Sequence, residues 1–203
     1  MKNFINIKGA VLDKQQLQNY IEKLATEHLL KYNSDAKTYP IPRVKENFKV
    51  INSTYNLLNN HIKLKFNIHP AGEWLLDNYY LIEEAIKTVE KELSKKKYKN
   101  FLSLANGQYE GFARIYCLAS EIVAYTDCNI NSDIVTDVLK SYQNKNSLSM
   151  DEIWSISIFL NIAIIENIRN VCDKIYICQM QKQKVEEIVN RYVGLTNQTS
   201  RSS

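Results

Sequence analysis

Glycine and proline are scarce in this sequence, with five and three copies among 203 residues. Sheets and loop-rich folds need turn residues more often than that, so the balance favours helices. Histidine is scarcer than most residue types, and His28, His61 and His69 all lie early in the chain. Cys117, Cys128, Cys172 and Cys178 form no C-x-x-C pair and sit far downstream of those histidines. A structural zinc site wants closer ligands, so no metal is expected. Charge of one sign is not in excess: 26 Lys and Arg face 22 Asp and Glu, for a net charge of +4. That is too mild to draw the chain to nucleic acid or anionic lipid. The opening MKNFINIKGAVLD has neither the apolar run nor the small-residue cleavage site of a signal peptide. Four isolated cysteines without such a signal fit reduced, mostly buried thiols, and a cytoplasmic location is expected. The most apolar window, Ile153 to Ile168, is interrupted by Ser155, Ser157, Asn161, Glu166 and Asn167. It falls short of the ~20 residues that span a bilayer, so it is expected to be a buried core helix. No G-x-S-x-G elbow, Gly-rich phosphate loop or D-x-D pair occurs, and no cofactor is expected.

What is present is helical periodicity. Asp13 is a plausible N-cap for a first helix through Tyr32, with Leu17, Ile21, Leu24, His28 and Leu29 on one stripe. The polar link NSDAKTYPIP, 33–42, carries two prolines and cannot continue it. A second helix is expected after Pro42 to about Lys65, with Val44, Phe48, Ile51, Tyr55, Leu58 and Ile62 on one face. His69-Pro70 opens a third helix to about Leu93. The lysine run from Lys95 ends it and reads as a solvated surface. Phe101 to Gly111 has loop character, a fourth helix covers Phe112 to Tyr125, and Ser132 caps a fifth to Tyr142. Ser149 and Glu152 have capping-box spacing at the head of a stretch free of glycine and proline from Met150 to Arg191. Only INIKGAV alternates like a strand, and alone it cannot form a sheet. The expectation is an all-α, irregular bundle of about six helices with a long C-terminal helix. Residues 1–40 make an N-terminal helix and linker, 41–193 a helical domain, and 194–203 a frayed polar tail.

The stretch HPAGEWLLDNYYLIEE sets Glu73, Asp77, Tyr80 and Glu84 at steps of four, three and four, a single helical stripe. Glycoside hydrolysis needs two carboxylates facing each other about 5 to 9 Å apart, and neighbours on one stripe point the same way. Arg114 in GFARIYCLA and the group Glu166, Asn167 and Arg169 in IIENIRN lie on otherwise apolar helices. A buried charge must be paired. Glu73, Asp77, Arg114, Glu166, Asn167 and Arg169 are therefore expected to form one inter-helix polar network. In it, Glu73 and Asp77 face Arg114 or Arg169; a ligand site is the alternative. Trp74, Tyr80 and Trp154 are candidate sugar or partner contacts, although aromatics at helical spacing more often pack into a core. No nucleophile–base arrangement is visible, and no catalytic residue is assigned.

Three ordered blocks carry a family resemblance: EWLLDNYYLIEEAI (73–86), LANGQYEGFARIYCLASEIVAYTD (104–127) and LSMDEIWSISIFLNIAIIENIR (148–169). In their order and spacing they resemble the N-terminal region of the cyclic β-1,2-glucan synthases, large bacterial membrane enzymes. The second block matches at Gly111, Arg114, Tyr116, Thr126 and Asp127. The third matches at Leu148, Glu152, Trp154 and Glu166 to Arg169, with Ile153 where the family usually has leucine. The resemblance runs from about residue 40 to 170. It implies a helical region that precedes membrane spans, a UDP-glucose-dependent glucosyltransferase domain and phosphorylase-like domains. Those signatures lie beyond the matching region, so the motif residues inherit no catalytic role. On this reading the chain is a fragment, a truncated product or a stand-alone relative. It is either a scaffold or docking segment on the synthase's cytoplasmic side, or a helical module that binds glucan or a protein.

Overall fold

The computed structural model describes residues 11–32 and 36–199, with the side chains of 186, 187, 190 and 193–199 left undescribed. Among these residues are seven helices and two short strands, in the order α1 (Lys14–Glu27), β1 (Leu30–Tyr32), α2 (Ile41–Lys63), α3 (Pro70–Glu92), α4 (Lys95–Lys99), β2 (Leu102–Leu104), α5 (Arg114–Tyr125), α6 (Ser132–Gln143) and α7 (Met150–Thr199). The fold is all-α with a long C-terminal helix. The alternating INIKGAV segment lies almost wholly outside the described residues.

The chain forms two compact units, Met1–Val44 with Ala85–Glu166 and Lys45–Glu84 with Asn167–Ser203. The long helices α2, α3 and α7 contribute residues to both. Helix α7 carries its backbone through Thr199.

In the first unit, Asp13 caps α1 through a reciprocal box: its side chain accepts from the Gln16 amide at 2.9 Å, and Gln16 returns a bond to the Asp13 amide at 3.1 Å. Leu17, Ile21 and Ala25 form the buried stripe. The helix stops at Glu27 rather than Tyr32, because Asn106 closes its end from far along the chain. The Asn106 amide donates to the Glu27 carbonyl at 2.8 Å, and its oxygen accepts from the Leu29 amide at 3.0 Å. Leu30 to Tyr32 are thereby turned into a strand antiparallel to β2, with Lys31 opposite Ser103. The segment expected to be a loop thus supplies both a strand and a cap.

The lysine run is also more than a surface. Ser94 caps α4, its hydroxyl accepting from the Lys97 amide at 3.1 Å. Lys95, Lys96 and Lys99 are exposed, but Tyr98 between them is fully buried. Its hydroxyl lies 2.9 Å from that of Thr38 and accepts from the Ala113 amide at 3.2 Å. Tyr98, Phe101, Tyr116 and Phe159 make a chain of ring contacts, the closest pair being Phe101 and Phe159 at 5.4 Å in edge-to-face geometry. Helix α6 is capped by Asn131, one residue before the Ser132 expected for that role, with its side chain accepting from Ile134 at 2.9 Å.

In the second unit, Ile51, Leu58, Leu75 and Ile82 are buried. Tyr55 stacks on Tyr79 with centroids 3.9 Å apart, and the Tyr79 hydroxyl donates to Asn52 at 2.9 Å. Gly72 permits a close approach: a Cβ there would stand 2.8 Å from Ile68 Cγ2 and 3.1 Å from Leu58 Cδ2. Gln179 donates to the Asn67 carbonyl at 2.9 Å and ties the late part of α7 to the turn before α3.

One helical stretch among the described residues, Met150–Val185 of α7, is long and apolar enough to cross a membrane by length and composition. Within it Ile158, Phe159, Ile162 and Ile165 are buried against protein, while Val171, Tyr176, Ile177, Met180 and Val185 are exposed.

Candidate functional site

The polar residues singled out in the sequence separate into distinct arrangements. Arg114 opens α5, where its side chain is 3% exposed and needs a partner that is equally buried. It closes in fork geometry on Glu152, Nε to Oε1 and Nη2 to Oε2 both at 2.7 Å, and Nη2 also donates to the Ser147 carbonyl at 2.7 Å. Glu152 does a second job at the head of α7. Its Oε2 accepts from the Ser149 amide at 2.8 Å, while the Ser149 hydroxyl accepts from the Glu152 amide at 3.2 Å. The capping box and the ion pair share one carboxylate. The Arg114 guanidinium also lies 5.9 Å from the centre of the Tyr142 ring.

Glu73 and Asp77, expected to be the partners of Arg114, are exposed on α3. An exposed carboxylate is solvated by water and has no need of a buried cation, whereas Glu152 cannot be left alone. Arg169 pairs within its own helix to Asp173 at 2.7 Å, with both side chains more than a third exposed. Its Nη1 also donates to Asn170 at 3.3 Å. Asn167 is exposed. Glu166 is the one acid of its group that is largely buried. It takes Arg43 at 3.0 Å on one oxygen and the Tyr116 hydroxyl at 2.5 Å on the other. Burial raises its pKa, and Arg43 and Tyr116 partly offset that rise.

A third buried acid, Glu121, carries none of the sequence signals discussed above. It is 1% exposed on α5 and accepts from the Tyr20 hydroxyl of α1 at 3.0 Å. Burial pushes its carboxyl up to about 7, against a small opposing effect of the Tyr20 bond. One turn away, Cys117 Sγ lies 3.9 Å from His28 Nε2, and His28 Nδ1 lies 3.0 Å from the Tyr142 hydroxyl. Burial, with Arg114 nearby, brings His28 down to about 4, and burial raises the Cys117 thiol. Both groups are thus neutral near pH 7, the opposite of the thiolate–imidazolium state a cysteine nucleophile needs. A lone acid inside ASEIVAY is the sequence signal that marks Glu121. Nothing local marks Arg43 as the partner of Glu166, or His28 as the neighbour of Cys117 and Tyr142.

The three aromatics proposed as contacts are open to solvent: Trp74 is 52%, Tyr80 61% and Trp154 71% exposed. Trp74 and Tyr80 share the α3 surface with Glu73 and Asp77, and Trp154 lies on α7. Core packing, the alternative weighed for such aromatics, does not describe them. Among the described residues no group of three or more His, Cys, Asp or Glu side chains is placed to hold a metal ion.

No family model matches the chain. The chain is similar to the cyclic beta-(1,2)-glucan synthase NdvB of Rhizobium meliloti (strain 1021), 27% identical over 156 residues. The match covers 76% of this chain and about 5% of that protein's length. The likeness relates the chain distantly to one small part of a glucan synthase.

Proposed function

We propose that the chain is a non-catalytic scaffold or docking segment of a cyclic β-1,2-glucan synthase, placed on the cytoplasmic side of its membrane. The use made of its buried charges carries the reading. Arg114 and Glu152 tie the heads of α5 and α7, Glu166 ties Arg43 to Tyr116, and Glu121 ties α5 to α1. Each of these acids is committed to a helix contact, whereas glycoside hydrolysis needs two carboxylates facing one another across a sugar. The distant similarity to the Rhizobium meliloti synthase supports the assignment to that class of machine. The partners are then the remaining domains of the synthase, with no nucleic acid among them and no cofactor required. Mixing the purified chain with a separately expressed glucosyltransferase portion of such a synthase tests the proposal. A complex seen by sedimentation is the expected result, and two non-interacting, well-folded species would overturn it.

A second reading, a helical module that binds glucan or a protein directly, is favoured by the exposure of Trp74, Tyr80 and Trp154. Aromatic faces open to solvent are the surfaces on which sugars stack and interface anchors dock. Calorimetric titration with β-1,2-glucan separates the readings. Binding lost in Trp74→Ala supports the module, and absence of heat removes its glucan form.

A further inference from the structure

The second unit carries two solvent-facing helix stripes that its own packing does not use. On α3, Leu75 and Ile82 are buried. At about 100° per residue, the opposite face holds Glu73, Asp77, Tyr80 and Glu84, with Trp74 and Leu81 along one edge. All six are exposed. On α7, Cys172, Ile175 and Gln179 are buried, and the opposite face holds Lys174, Ile177, Met180 and Lys184, again all exposed. Trp74, Tyr80, Leu81, Ile177 and Met180 are thus large apolar groups turned away from the core of their own unit, the mark of an interaction surface.

The two stripes are opposite in charge. From Pro70 to Ile86 there are four acids and no Lys or Arg, and from Lys174 to Val185 three lysines and no acid. Among the described residues no ion pair engages Glu73, Asp77, Glu84, Lys174 or Lys184. Asp173, which borders the α7 stripe, is already taken by Arg169 at 2.7 Å. The spacings match as well. Glu73 and Glu84 lie about 16 Å apart along α3, and Lys174 and Lys184 about 15 Å apart along α7. Laid antiparallel, Lys174 falls at Glu84 and Lys184 at Glu73, while Ile177 and Met180 meet the edge formed by Trp74 and Leu81. Glu186 and Glu187 fall beyond this matched span. Both stripes are open in the single chain, so they do not meet there, and the complement of each lies on another copy. We propose that the chain associates with itself through this pairing, the 73–84 face of α3 in one copy receiving the 174–184 face of α7 from a second. The apolar centre supplies the affinity and the flanking charges set partner and register.

Sedimentation velocity of the purified chain reads the association directly. The mean sedimentation coefficient is expected to rise between about 5 and 500 µM chain in about 50 mM salt, and to rise less in about 500 mM salt. Lys184→Glu and Glu73→Lys are each expected to weaken association at least about tenfold, because each sets like charges against one another. Both positions are exposed, so the melting curves of the dilute variants are expected to match that of the native chain. Mixed in equal amounts, the two variants are expected to associate again, since the reversed α7 of one then meets the reversed α3 of the other. Trp74→Ala removes an apolar anchor and is expected to weaken association without removing its dependence on salt. A chain that stays monomeric over the whole range, or association that neither charge reversal weakens, would overturn the proposal. Reversed variants that remain apart when mixed are the other contrary result.

Discussion

Arg114 and Glu152, 38 residues apart, form a two-pronged ion pair in which each side chain is at most 3% exposed. Because Glu152 also caps α7, the pair fixes the start of one helix against the start of another. Removing either partner leaves the other charge buried and alone, at a cost of about 3–5 kcal/mol. Arg114→Ala and Glu152→Ala should each lower the melting temperature by roughly ten degrees in a chain of this size. The double change should cost clearly less than the sum of the singles. Thermal denaturation of the four proteins checks this, and additive losses would show that the two residues stabilise the fold independently.

The α3 acids should behave differently. Glu73 and Asp77 are exposed, so Glu73→Ala and Asp77→Ala should each change stability by less than about 0.5 kcal/mol. Urea unfolding of the variants beside Arg114→Ala makes the comparison. A large loss for Asp77→Ala would restore the pairing that the sequence suggested.

Glu121 gives overall stability a sign. Its folded-state pKa is raised to about 7 from an ordinary 4.5, so the folded chain holds a proton that the unfolded chain releases. Its contribution is present below about pH 4.5 and is lost as pH rises through about 7. The shift corresponds to roughly 3 kcal/mol. Glu121→Gln should therefore unfold at the same urea concentration as the native chain at pH 4 and at a higher one at pH 8. Identical midpoints at pH 8 would contradict the assignment.

Gly72 tests packing in the second unit. Alanine is the better helix former by up to about 1 kcal/mol, but its Cβ would press on Ile68 and Leu58. Overpacking of this kind costs about 1–3 kcal/mol, so Gly72→Ala should be net destabilising in urea unfolding. A more stable variant would mean that the two side chains yield without loss.

Much of this architecture was legible in the sequence wherever the signal is local. The Asp13 cap, the Pro70 start and the Ser149–Glu152 box each depend on neighbours within four residues, and each appears where the pattern placed it. The early end of α1 was not legible, because Asn106 imposes it from 79 residues away. The same difference separates what was known of Arg114 from what was not. Its burial follows from an apolar helix, but its partner is chosen by tertiary approach. The capping box gives Glu152 a complete local role, which hides its second one. Trp74, Tyr80 and Trp154 sit one position off buried stripes, where a small rotation of the helix decides between core and solvent. Periodicity alone cannot fix that rotation.

The most direct test of the account is an assay of glucosyl transfer by the purified chain, supplied with radiolabelled UDP-glucose and a β-1,2-glucan acceptor. The account predicts no label in glucan at any protein concentration, since the sequence carries neither a Gly-rich phosphate loop nor a D-x-D pair to hold a sugar nucleotide. Turnover that disappears in Glu166→Gln, in a protein whose unfolding curve matches the native one, would contradict it.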